Sequence, residues 1–122
     1  MFREGQTYTR SEIHQAVGGS VQSCLVRGGG RVVAVCFVRK KNPHAPKEIF
    51  VAHGPSKEAA AEILKSQTYA VPVFEKLADN AWSYIGEFKG HSYDTLVDTL
   101  AAANRASNRN DIAGVLHLES VT

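Results

Sequence analysis

Five histidines and two cysteines are the residues best able to hold a metal or attack a carbonyl, and their spacing supports neither chemistry. His14, His44, His53, His91 and His117 never fall two to a helix at ligand spacing, and the chain has no HExxH and no paired CxxC. Cys24 and Cys36 sit in apolar runs where a thiolate is disfavoured, which argues against a cysteine nucleophile. Buried free thiols are their expected state, with a cross-strand disulfide as the alternative. Gly28-Gly29-Gly30 lacks the lysine and hydroxyl residue of a phosphate loop and reads as a turn. No GxSxG elbow occurs. Glu48, Glu75 and Lys76 are of the residue types a nuclease uses, but their spacing matches no such cluster. These residues point to no enzyme, no metal and no cofactor.

Binding chemistry is better represented. Net charge is +2, yet residues 20–57 carry seven bases (Arg27, Arg31, Arg39, Lys40, Lys41, Lys47, Lys57) against Glu48 alone, a local +6. Residues 58–122 carry five bases and nine acids, a local −4. A basic segment in a near-neutral chain suggests a side that faces a polyanion; a solvated hairpin end is the competing reading. Beside it stands an aromatic strand, with Trp82 and Tyr84 followed by Phe88. Aromatic faces stack on bases, and lysine and arginine neutralise phosphates. The alternative is that these rings are core; Trp82, at a strand start after a polar turn, is the one expected at a pocket edge.

The elements that must position these residues follow from local pattern. Thr9 and Glu12 form a capping box ahead of Ile13, Ala16 and Val17, and Gly18-Gly19 ends that helix. Runs 21–26 and 31–38 flank the three glycines as a hairpin whose second strand is central. Residues 39–47 form a polar loop, and 48–53 a third strand. A helix follows, capped by Ser56, with Ala59, Ala60, Ile63 and Leu64 as its inner stripe. Strands are expected at 71–76 and 82–89, the latter with Trp82, Tyr84, Gly86 and Phe88 on one side. A third helix over 94–105, capped near Ser92 or Asp94, turns Leu96, Val97, Leu100 and Ala101 inward; a last strand covers 112–121. Residues 1–122 are expected to form one α+β domain: a strongly curved, mostly antiparallel sheet or partly open barrel with three helices outside it. No apolar run reaches the ~20 residues of a membrane span, and the first residues, with Glu4 and no apolar core, do not read as a secretory signal. A cytoplasmic protein is the expectation.

Several runs resemble a known family. They are Tyr8-Thr9-Arg10-Ser11-Glu12-Ile13, Gly18-Gly19-Ser20-Val21-Gln22, Asn42-Pro43, Gly54-Pro55, Val71-Pro72-Val73-Phe74-Glu75-Lys76 and Asn80-Ala81-Trp82-Ser83-Tyr84-Ile85-Gly86. Together they resemble an uncharacterised domain of bacterial restriction-type proteins, often joined to an HNH endonuclease. The Trp-x-Tyr-x-Gly strand also resembles an element of PUA-like barrels, which include the SRA (YDG) readers of modified cytosine. The resemblance implies recognition of double-stranded DNA, with a modified base held in an aromatic pocket, in a restriction or phage-defence setting. It implies Trp82 and Tyr84 as the aromatic motif and Arg39, Lys40 and Lys41 as the backbone grip, with Gln22, Asn42, Lys47, Lys76 and Asn80 completing the candidate nucleic-acid-binding set. No HNH motif follows in these residues, so binding without cleavage, or recruitment of a nuclease partner, is implied. A regulatory domain that uses the same surface on a protein partner is the alternative function.

Overall fold

A computed structural model describes residues 2–121. After a two-residue strand β1 (Thr7–Tyr8), helix α1 (Arg10–Val17) begins at the expected capping box: the Glu12 N–H donates to Thr9 Oγ1 at 3.1 Å and the Thr9 N–H to Glu12 Oε1 at 2.8 Å. Strands β2 (Leu25–Gly28) and β3 (Arg31–Phe37) form the expected hairpin around Gly29-Gly30. Residues 21–24 are not strand. Ser20 Oγ accepts from the N–H groups of Gln22 (3.1 Å) and Ser23 (3.2 Å), a local bonding scheme that competes with the ladder. Strand β4 (Glu48–Ala52) leads into α2 (Pro55–Ser66). Its cap is Gly54 rather than Ser56: Pro55 takes the first helical position, where a missing N–H costs nothing, and Ser56 falls inside the first turn.

Strands β5 (Val71–Ala78) and β6 (Ala81–Asp94) follow, then α3 (Val97–Ser107) and β7 (Ile112–Ser120). Helix α3 starts later than its sequence suggests because β6 runs on to Asp94, whose carboxylate accepts from the Leu96 N–H (2.9 Å) and Thr99 Oγ1 (2.8 Å). Its inner face also differs. Leu96 and Val97 are exposed, and Leu100 and Ala103 pack on Phe50, Ile112 and Val115.

The strand order is β2-β3-β5-β6-β7-β4, with β1 against β6; the β3–β5 pair is parallel and the rest antiparallel. The sheet curls through 237° into a half-barrel, the partly open α+β form expected. One helix is not outside it. Helix α2 packs against β2, β3, β4, β6 and β7, strands from both edges and the middle, which only the concave side allows. Its Ala60, Ala61 and Leu64 join Phe37, Ile49, Val73 and Leu116 in the main core. The helix sits close: at Gly90 of β6, a Cβ would meet the backbone of Leu64 and Lys65, 2.9 Å from the Lys65 Cα.

The convex face carries a second core of Ile13, Val26, Ala34, Cys36, Phe74, Trp82 and Tyr84 under α1. Phe88 belongs to the concave core instead. The β5–β6 register shifts between Val73 and Phe74, where Val73 pairs with Gly86 and Phe74 with Tyr84, and this bulge breaks the strict alternation expected of 82–88.

Candidate nucleic-acid interface

An open half-barrel leaves two edge strands, β2 and β4, facing each other across a seam. An edge strand presents unpaired backbone groups that need partners. On β4 two side chains supply them at Phe50. The buried Asn42 accepts from the Phe50 N–H at 2.8 Å and donates through Nδ2 to Val38 O at 3.3 Å. Arg109, on the loop before β7, donates from Nη1 to Phe50 O (3.2 Å) and Lys41 O (3.1 Å). Its other face bonds Asp111 at 2.8 and 3.3 Å, and those bonds hold the Asp111 carboxyl below the usual carboxylate range. Arg109 is therefore a staple joining the basic loop, the sheet edge and the last connection. On the other edge Gly19 lies so near β2 that a Cβ would stand 2.7 Å from Arg27 O, and its φ of +80° suits glycine alone.

Between the edges lies a cleft of about 700 Å³. Leu25, Ile49, Phe50, Val51 and Ala60 form its apolar floor; Ser20, Gln22 and Ser23 form one wall. Arg27, Lys41, Lys57 and Arg109 line it, and no carboxylate does. Arg109 is neutralised by Asp111. Among the described residues, the side chains of Arg27, Lys41 and Lys57 have no ion pair or hydrogen bond. The cleft thus holds three cations without an ion pair over an apolar floor, Lys57 near enough to Asp111 to help lower that carboxyl's pKa.

The ten expected residues divide. Gln22, Lys41 and Asn42 line the cleft, Asn42 with both ends of its amide already bonded. Arg39 and Lys40 occupy the adjoining turn. Arg39 forms a bidentate pair with Glu75 (3.0 and 3.1 Å) and donates to Ala45 O, so its guanidinium is committed within the chain; the bond to Glu75 raises its pKa further. Lys47 lines a separate, shallower depression with His91, His117 and Glu119. Asn80 Oδ1 accepts from the Arg10 N–H at 2.9 Å, a turn residue supporting α1.

The pocket-edge position expected of Trp82 is corrected. Trp82 is 8% exposed and Tyr84 9%, both in the convex core. The Arg10 guanidinium carbon lies 5.1 Å and Lys76 Nζ 5.8 Å from the indole centroid. Tyr84 donates to Glu87 at 2.6 Å, and burial followed by that bond pushes its pKa up. The acids and lysine of the nuclease type do not assemble: Glu48 on β4 bonds His44, and Glu75 on β5 bonds Arg39. Among the described residues no group of three or more His, Cys, Asp or Glu is arranged to hold a metal ion, and no helix is long and apolar enough to cross a membrane.

Arg27, Lys57 and Arg109 were absent from the candidate set. The local +6 of residues 20–57 contains the first two; Arg109 lies in the acidic half, and only the topology brings it to the seam.

Both cysteines are free. Burial pushes the Cys24 thiol up to about 11 and the Cys36 thiol to about 12, although Arg10 pulls both down. A raised pKa keeps the thiol protonated below it, so at neutral pH fewer than about one thiol in a thousand is the reactive thiolate. A thiol-reactive disulfide reagent at neutral pH is expected to label the native chain far more slowly than the denatured chain, which should release two equivalents. Rapid labelling of one thiol in the native chain would show Cys24 open to solvent through the cleft.

Comparison with protein-family models, with curated proteins and with solved structures finds no match to this chain.

Proposed function

We propose that this domain binds nucleic acid and that the seam cleft is where it meets the phosphate backbone. The observation that carries the reading is the set of three unpaired cations, Arg27, Lys41 and Lys57, around a cleft with no carboxylate. Like charges held together in the free protein repel, and a polyanion relieves that repulsion while releasing its own condensed counterions. The cleft's apolar floor suits the non-charged part of a nucleotide better than a bare ion. The resemblance of the sequence to a restriction-associated domain favours double-stranded DNA in the cytoplasm as the target. The half-barrel is the form a PUA-like reader would take.

The test is a mobility-shift titration of the full chain with duplex DNA, with and without cytosine modification, over a range of salt. The logarithm of affinity should fall linearly with the logarithm of salt, with a slope of about −0.9 for each phosphate engaged, hence between about −2 and −3 for the three cleft cations. Absence of a shift at low salt would remove the reading and leave a protein partner for the same surface.

A further inference from the structure

Among the described residues one buried cation has no carboxylate to balance it. Arg10, the first residue of α1, is 9% exposed. Its Nη2 donates to the carbonyl oxygens of Ser20 (3.1 Å) and Ser23 (3.0 Å), its guanidinium lies over the Trp82 ring, and its buried Nε has no partner. Among the described residues none forms a salt bridge with it. A buried charge is normally paired, because taking it from water costs more than carbonyl dipoles and an aromatic face return. The two carbonyls it grips belong to the segment that walls the cleft, and at the Cys24 thiol, in that wall, Arg10 exerts the strongest pull of the surrounding cations, ahead of Arg109 and Lys41.

We infer that Arg10 is a positioning residue for the anion-binding cleft: it fixes the Ser20–Ser23 wall from behind through its two carbonyl bonds. This inference rests on the reading of the cleft as a phosphate site. Two consequences distinguish Arg10 from the rim cations. Arg10 does not line the cleft and makes no phosphate contact of its own, so a replacement that keeps its charge lowers affinity without changing the salt slope. Being stacked on the only tryptophan, it carries a change at the wall to Trp82.

The experiment compares the wild type with Arg10→Lys, which keeps the charge and loses the fork that holds two carbonyls at once. With duplex DNA, Arg10→Lys is expected to bind about tenfold more weakly, as for the loss of one charge-assisted hydrogen bond, with the salt slope unchanged and the chain still folded at the assay temperature. Wild-type affinity in Arg10→Lys, or a loss accompanied by a reduced slope, overturns the inference. If Arg10→Lys does not fold, Trp82 emission of the wild type decides: a change that saturates with DNA supports the coupling, and constant emission overturns it. A wild type that fails to shift DNA removes the phosphate-site reading and this inference with it; a wild-type shift with the contrary Arg10 results removes this inference alone.

Discussion

Trp82→Ala is expected to lower the stability of the domain by about 3–5 kcal/mol, the cost of emptying a large aromatic site in a packed core. Trp82 is 8% exposed among Ile13, Val26, Phe74 and Tyr84, so little of the cavity can refill from solvent-side movement. A second loss adds to the first. The buried Arg10 guanidinium lies over the indole, and without it that side of the guanidinium faces a void. For a chain of this length the shift in melting temperature should be roughly 10–20 °C. Trp82→Phe keeps a ring under Arg10 and should recover much of the loss. DNA affinity of Trp82→Ala, measured where the variant is still folded, should fall only as far as the Ser20–Ser23 wall loosens. A variant that melts within about 1 kcal/mol of the wild type but binds DNA poorly would instead restore Trp82 as a base-stacking platform.

What the sequence made legible was whatever neighbouring residues decide. The Thr9–Glu12 capping box, the glycine turn between β2 and β3 and the half-barrel itself follow from patterns a few residues long. The departures have non-local or competing local causes. Val21 reads as strand by propensity, yet the Ser20 hydroxyl captures two backbone N–H groups and bends the chain. Phe88 has the right parity to join Trp82 and Tyr84, and a single bulge sends it to the other face. Leu96 and Val97 look like an inner stripe, but where α3 lands is set by β7 and β4, which the helix itself does not encode. The cleft was the least legible part. Its cations come from β2, the loop before β4, the first turn of α2 and the loop before β7, and they meet only because β4 crosses to the far edge of the sheet. A run such as Arg39-Lys40-Lys41 draws attention by density, although Glu75 on a distant strand already occupies its arginine.

That contrast sets the second large effect. The combined variant Arg27→Ala, Lys41→Ala, Lys57→Ala should weaken DNA binding by at least about a hundredfold at low salt, since each cation forfeits a charge-assisted contact worth more than about 1 kcal/mol. The salt slope should shrink by about 0.9 per residue, leaving little of it. Stability should be unchanged or slightly higher, because the three side chains have no ion pair in the free chain and repel one another. The control is Arg39→Ala with Lys40→Ala, equal in kind and adjacent in sequence. It breaks the exposed Arg39–Glu75 pair, worth up to about 1 kcal/mol of stability, and removes only one free cation, Lys40, which does not line the cleft. Its slope should fall by no more than one phosphate contact. If the control abolishes binding and the cleft variant does not, the backbone grip lies on the turn of residues 39–41 and the seam is not the interface. If both bind as the wild type does, the cations are solvated surface and the polymer is held elsewhere. Only a collapse of affinity and slope in the cleft variant, at preserved melting temperature, agrees with DNA seated across the open edge of the half-barrel.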